Sequence, residues 1–188
     1  MYNLMIVGVG GQGTLLASRL LGHIMTEEGL DVKVSEVHGM SQRGGSVVTY
    51  VKAGKKVDSP IITEGEADII LAFEQLEAAR WIKYLKKDGK IILNTQKIMP
   101  MPVVTGNAVY PDNVIEKLNS TNASIISLDA LSLAEKSGSS KAVNVVLIGV
   151  LAKNTDIPKE KWIAAIKDTV PERFIEMNLK AFELGYNS

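Results

Sequence analysis

The sequence contains no cysteine in 188 residues. That absence excludes disulfides, a thiolate nucleophile, and any Cys-ligated iron–sulfur cluster or zinc site on this chain. With only two histidines, His23 and His38, a histidine-rich metal site is excluded as well. Redox chemistry must therefore come from a bound organic cofactor or from a partner's centres. Net charge is absent too: 21 basic residues balance 21 acidic ones, which argues against a nucleic acid or a membrane surface held by bulk charge. The apolar run 142–152 carries Asn144 and falls well short of the ~20 residues needed to cross a bilayer. Met1-Tyr2-Asn3 leads straight into a strand pattern with neither a basic segment nor a cleavage signal, so a cytoplasmic location is expected.

What is present is an alternation of strand and helix patterns. A chain of this length buries about 70% of its unfolded surface, so no covalent staple is required. Residues 4–9 form a short apolar run ended by glycines, the mark of a buried parallel strand. Over 14–28 the apolar positions Ala17, Leu20, Leu21, Ile24 and Met25 follow helical spacing, with Gly29 placed to end the helix. A second strand is expected at 32–37. The link 38–45 that follows is too short for a parallel crossover, which takes a dozen or more residues. Residues 46–52 are therefore expected to be an antiparallel partner or an edge strand.

Alternation resumes with a strand at 69–73, a helix through Ala78, Trp81, Ile82 and Leu85 stopping near Asp88-Gly89, and a strand at 90–94. Proline-rich 99–110 reads as loop with one short strand at most. A helix at 112–119, a strand at 124–128 and a helix at 130–136 follow. Residues 141–153 are apolar on nearly every side and read as a buried helix. Pro158 and Pro171 open two further helices at a favoured first-turn position. The expected fold class is α/β: a Rossmann-like, open, mostly parallel sheet with an antiparallel strand, and C-terminal helices over 141–186 packed on it, all in one domain spanning 1–188. The unusually apolar stripes of those helices suggest a docking surface.

Gly8-Val9-Gly10-Gly11-Gln12-Gly13 places G-x-G-x-x-G between a strand and a helix. Its glycines allow a tight turn and close approach of a pyrophosphate, which the first helical N–H groups then face. The alternative is close strand–helix packing with no ligand. Glu36 lies near the spacing at which an acidic residue binds a ribose hydroxyl in dinucleotide-binding folds. The chain leaves little room, however, for a separate catalytic domain beside a nicotinamide. A second glycine-rich element, His38-Gly39-Met40-Ser41-Gln42-Arg43-Gly44-Gly45, leaves the same sheet edge. Arg43 presents the paired donors that suit a diphosphate or carboxylate, and Gln42 adds a neutral donor and acceptor. Glu74 follows a strand at that edge, where a ligand role and capping of the next helix are both open.

These two elements, with Glu36-Val37 ahead of the second, make the chain resemble the small-subunit (beta) family of indolepyruvate:ferredoxin oxidoreductases, within the wider family of 2-oxoacid:ferredoxin oxidoreductase gamma-type domains. Ala72-Phe73-Glu74-Gln75-Leu76-Glu77-Ala78, Ala142-Val143-Asn144 with Gly149, and Asn178 followed by Ala181-Phe182 and Gly185 extend the likeness over almost the full length. The resemblance implies a subunit that is inactive alone. A large (alpha) partner would hold thiamine diphosphate, Mg²⁺ and the iron–sulfur clusters, with coenzyme A as co-substrate and ferredoxin as electron acceptor. The pair would convert an aryl pyruvate to an aryl-acetyl-CoA. In keeping with this, the sequence has no Gly-Asp-Gly signature of a thiamine diphosphate–Mg²⁺ site.

On that reading Arg43, Gln42, His38 and Glu74 are candidate site side chains, and Gly8, Gly10, Gly11, Gln12, Gly13, Gly44 and Gly45 are candidate cofactor-binding positions. Asn144 and Asn178, in otherwise apolar stripes, are expected to bond between helices in the core. Two rival readings remain: an independent NAD(P)- or flavin-binding oxidoreductase, and a non-catalytic assembly module.

Overall fold

The computed structural model describes residues 1–39 and 44–188. Its strands are β1 (Tyr2–Val9), β2 (Asp31–His38), β3 (Ser46–Gly54), β4 (Ala67–Ala72), β5 (Leu85–Asn94) and β6 (Ser124–Leu128). Its helices are α1 (Thr14–Glu27), α2 (Gln75–Trp81), α3 (Met101–Val104), α4 (Val114–Asn119), α5 (Ala130–Ser137), α6 (Val143–Lys153), α7 (Lys159–Thr169) and α8 (Ile175–Tyr186). The strands form one sheet in the order β2-β3-β1-β4-β5-β6. β1, β4, β5 and β6 pair in parallel, while β3 is antiparallel to both its neighbours. The expected α/β sheet with an antiparallel strand is what the chain builds.

Along β1 the side chains alternate between two buried faces, as the continuous apolar run demands. Leu4 and Ile6 enter the larger core, shared with α1, α5, α6, α7 and α8. Met5 and Val7 enter the smaller one beneath α2 and α4. Helix α6 runs through the larger core with every residue from Val143 to Ala152 buried. Its apolar stripe is thus covered inside the chain, packed on α8, rather than left as the docking surface its composition suggested. No helix among the described residues is long and apolar enough to cross a membrane.

Several local expectations are corrected. The short link after β2 does force a reversal, but β3 lies inside the sheet, paired Asp31↔Gly54 on one side and Tyr2↔Ala53 on the other, and β2 takes the edge. Helix α2 stops at Trp81 and β5 already begins at Leu85. Asp88, at φ 64°, and a register shift between Ala67 and Ile69 make a bulge, so Asp88-Gly89 bends a strand instead of ending a helix. The 99–110 segment holds the short helix α3 rather than a strand. Asn144 makes the expected bond between helices, from α6 to the carbonyl of Gly13 at the N-cap of α1 at 3.4 Å, whereas Asn178 bonds locally, to the Phe174 carbonyl at 2.8 Å at the start of its own helix.

Candidate functional site

The chain leaves β1 toward β2 and β3 on one side and resumes at β4 on the other. The C-terminal ends of β1 and β4 are therefore the switch point at which open α/β sheets hold ligands. Both glycine-rich elements meet there. The Gly10 amide donates to the Gly45 carbonyl at 3.0 Å, and the Gly39 amide to the Ser46 carbonyl at 3.2 Å. Gly11, Gly13 and Gly44 have φ of 97°, 83° and 76°, conformations that favour glycine. Gln42 and Arg43, the two side chains expected to bind an anion, lie outside the described residues. Of the described ends of their loop, Gly45 lies against Gly10 and Gly39 against Ser46.

Gln12 is internally engaged. Its Oε1 accepts the Val9 amide at 2.8 Å and its Nε2 donates to the Phe73 carbonyl at 3.0 Å, closing the turn from inside. A methyl on Gly8 would sit 2.9 Å from that Oε1 and 3.0 Å from the Phe73 Cβ, so Gly8 makes room for this brace. Nε2 also lies 3.4 Å from Gln96 Oε1, which in turn takes a 3.4 Å bond from the buried Asn94 amide. The result is a polar chain across the ends of β1, β4 and β5. The open donors are backbone ones: helix α1 has no side-chain cap and no acidic residue in its first turn. Such an N-terminus attracts an anion.

Beyond this loop lies a cleft of about 470 Å³, walled by Gly11 and Gly13 on one side, Gln96 and Ile98 on another, and Ser140 and Lys141 in the turn ahead of α6. None of its described lining residues is acidic. A methyl on Gly13 would fall 2.7 Å from the Asn144 amide nitrogen, which shows how closely α6 abuts the loop. Lys141 and Ser140 were missed in the sequence. The available signal was Gly138-Ser139-Ser140-Lys141, small polar residues and one cation directly ahead of a helix, where the Ser139 hydroxyl accepts the Lys141 amide at 3.2 Å.

Glu36 and His38 form a separate cluster. Glu36 Oε1 is 2.8 Å from His38 Nε2, and Oε2 accepts from the hydroxyls of Thr49 at 2.9 Å and Thr14 at 3.4 Å. The Glu36 side chain is 15% exposed and that of His38 61%. With β3 inserted between β1 and β2, Glu36 is not on the strand adjacent to the glycine loop's own, and its carboxylate is occupied by protein partners. This removes the ribose-binding acid that the NAD(P) reading needs. Glu74 is the N-cap of α2: Oε2 accepts the Glu77 amide at 2.9 Å, and Oε1 accepts the Ile98 amide at 3.3 Å and the Tyr110 hydroxyl. The Tyr110 hydroxyl is pushed well above its ordinary value, chiefly by burial and then by its bond to Glu74.

The donor set defines the class: a small α/β module whose switch-point cleft is lined by backbone amides, neutral side chains and Lys141. A chain without cysteine cannot ligate an iron–sulfur cluster, and among the described residues no group of three His, Asp or Glu is placed to hold a metal ion. Residues 3–188 match the family model described as pyruvate ferredoxin/flavodoxin oxidoreductase, and the chain belongs to that family. It is 42% identical to the indolepyruvate oxidoreductase subunit IorB of Archaeoglobus fulgidus, over 98% of this chain and 94% of that one. It is 43% identical to the IorB subunit of Thermococcus kodakarensis, with the same coverage. Among solved structures, the keto/oxoacid ferredoxin oxidoreductase gamma subunit of Geobacter sulfurreducens superposes with a TM-score of 0.75 at 23% identity, covering 100% of this chain and 97% of that one, which shows a shared fold.

Proposed function

We propose that this chain is the small subunit of an indolepyruvate-type 2-oxoacid:ferredoxin oxidoreductase, completing a site whose cofactors sit on a large partner. The observation that carries the reading is the likeness to IorB subunits over nearly the whole of both chains. Thiamine diphosphate with Mg²⁺, and iron–sulfur clusters, all held by the partner, supply the decarboxylation of the aryl pyruvate and the passage of electrons to ferredoxin. This chain's residues bind, orient and exclude water. The open amides at the start of α1, together with Lys141 and Arg43, hold the anionic part of coenzyme A or of the 2-oxoacid. Gln42, adjacent to Arg43 in the sequence, adds a neutral contact to the ligand.

The test is steady-state kinetics of the assembled complex carrying Arg43→Ala. The expected result is a KM raised about tenfold for coenzyme A or for the 2-oxoacid, the loss of one charge-assisted contact. Unchanged KM for both rejects this placement of the anion site.

A further inference from the structure

Helix α2 begins with a buried carboxylate that the proposed chemistry does not use. Glu74 is 1% exposed, and its two oxygens already receive three donors. Two of those donors, the Ile98 amide and the Tyr110 hydroxyl, stand at the two ends of the excursion 98–110, which carries α3 and exposes Met99, Met101, Val104 and Val109. Ile98 is itself part of the cleft wall. Gln75 reinforces the attachment, with its amide to the Gln96 carbonyl at 3.3 Å and its Nε2 to the Thr95 carbonyl at 2.9 Å. Gln96 is in turn keyed to the glycine loop through Gln12.

We infer that Glu74 and Tyr110 are a positioning pair: they staple both ends of this excursion onto one carboxylate and so set the wall of the cleft. The inference rests on the reading of the cleft as the anion site. Glu74 touches no ligand, because both oxygens are enclosed by protein donors. It acts on turnover through the placement of Gln96 and Ile98. Such control is effective because catalysis and binding fall steeply when a wall shifts by even about 1 Å.

The assembled complex provides the test, with variants Tyr110→Phe and Glu74→Gln, the second keeping an oxygen to accept from Ile98 and Tyr110. The staple predicts that Tyr110→Phe raises KM about tenfold for the same anion, coenzyme A or the 2-oxoacid, whose KM Arg43→Ala raises, while kcat stays within about twofold. It also predicts that Glu74→Gln keeps kcat within about threefold, with an unaltered pH–rate profile. A loss of kcat of about a hundredfold or more in Glu74→Gln, with one limb of the profile missing, would mark Glu74 as a proton-transfer group and overturn the inference.

If Glu74→Gln does not assemble, Tyr110→Phe makes the same distinction. A staple leaves both limbs of the kcat profile of Tyr110→Phe where the wild type has them, and a displaced limb in that variant would mark Glu74 as a proton-transfer group and overturn the inference. A wild-type complex that fails to reduce ferredoxin rejects the functional reading. A working wild type with an inactive Glu74→Gln rejects only the staple.

Discussion

Replacing Gly185 by alanine tests the packing that holds α6, and with it the cleft, in place. A methyl there would lie 2.0 Å from the Val146 carbonyl oxygen and 2.8 Å from its carbon. From the other side, a methyl on Gly149 would lie 2.2 Å from the Phe182 oxygen and 2.8 Å from the Tyr186 nitrogen. Ordinary carbon–oxygen contact begins near ~3.3 Å, so α6 and α8 must part by roughly 1 Å. That separation loosens a helix whose residues 143–152 are all buried. Overpacking of this kind costs about 1–3 kcal/mol or more, opposed by the ~1 kcal/mol that alanine gains over glycine inside a helix. A net loss of about 2 kcal/mol corresponds to roughly 4–8 °C in Tm for a chain of this size.

Gly22 in α1 is the control. A methyl there meets nothing within 4 Å, so Gly22→Ala should raise Tm by ~2 °C. Thermal unfolding followed by circular dichroism reads both variants. A Gly185→Ala protein melting at or above the wild-type temperature would refute the close-approach reasoning. The double variant G149A/G185A should lose less than the sum of the two, since one separation relieves both clashes.

Two further outcomes follow from the same geometry. Gly13→Ala combines a left-handed φ of 83° with a methyl 2.7 Å from Asn144, so it should lower stability by about 1–3 kcal/mol and weaken anion binding; a wild-type urea midpoint would contradict this. Tyr110 gives an alkaline signature. Its pKa is raised by burial and by Glu74, so the native protein keeps a proton that the unfolded chain releases above pH 10, the ordinary value. The stability it contributes is therefore intact below 10 and lost as the pH climbs beyond it. The stability advantage of wild type over Tyr110→Phe should shrink between about pH 10 and about pH 11, and a difference that stays flat over that range would contradict the assignment.

The sequence made legible what depends on local pattern. Apolar periodicity marked β1 and α1, and the brevity of the 38–45 link marked β3 as reversed. The interior place of β3 was not legible, because it depends on pairing with β1 across 37 to 51 residues. Glycine spacing identified the loop at the switch point but not the inward turn of Gln12, which depends on Phe73 and Gln96. Lys141 belongs to the cleft only because Asn144, the second residue of α6, packs on Gly13, 131 positions away in the chain. Glu74 illustrates the same limit: its position suited a cap or a ligand contact, and Tyr110, 36 residues on, completes the enclosure of its carboxylate. Gly149 and Gly185 stood out as motif residues, but the reason for them, two helix backbones in contact, exists only in the packed protein.

The most direct measurement is reconstitution. The large subunit, this chain, and the two combined are each supplied with an aryl pyruvate, coenzyme A and oxidised ferredoxin, and ferredoxin reduction is followed by absorbance. The account predicts turnover dependent on both 2-oxoacid and coenzyme A from the combined subunits, and none from this chain alone. Turnover by this chain unaided, or a large subunit that works equally well without it, would contradict the account.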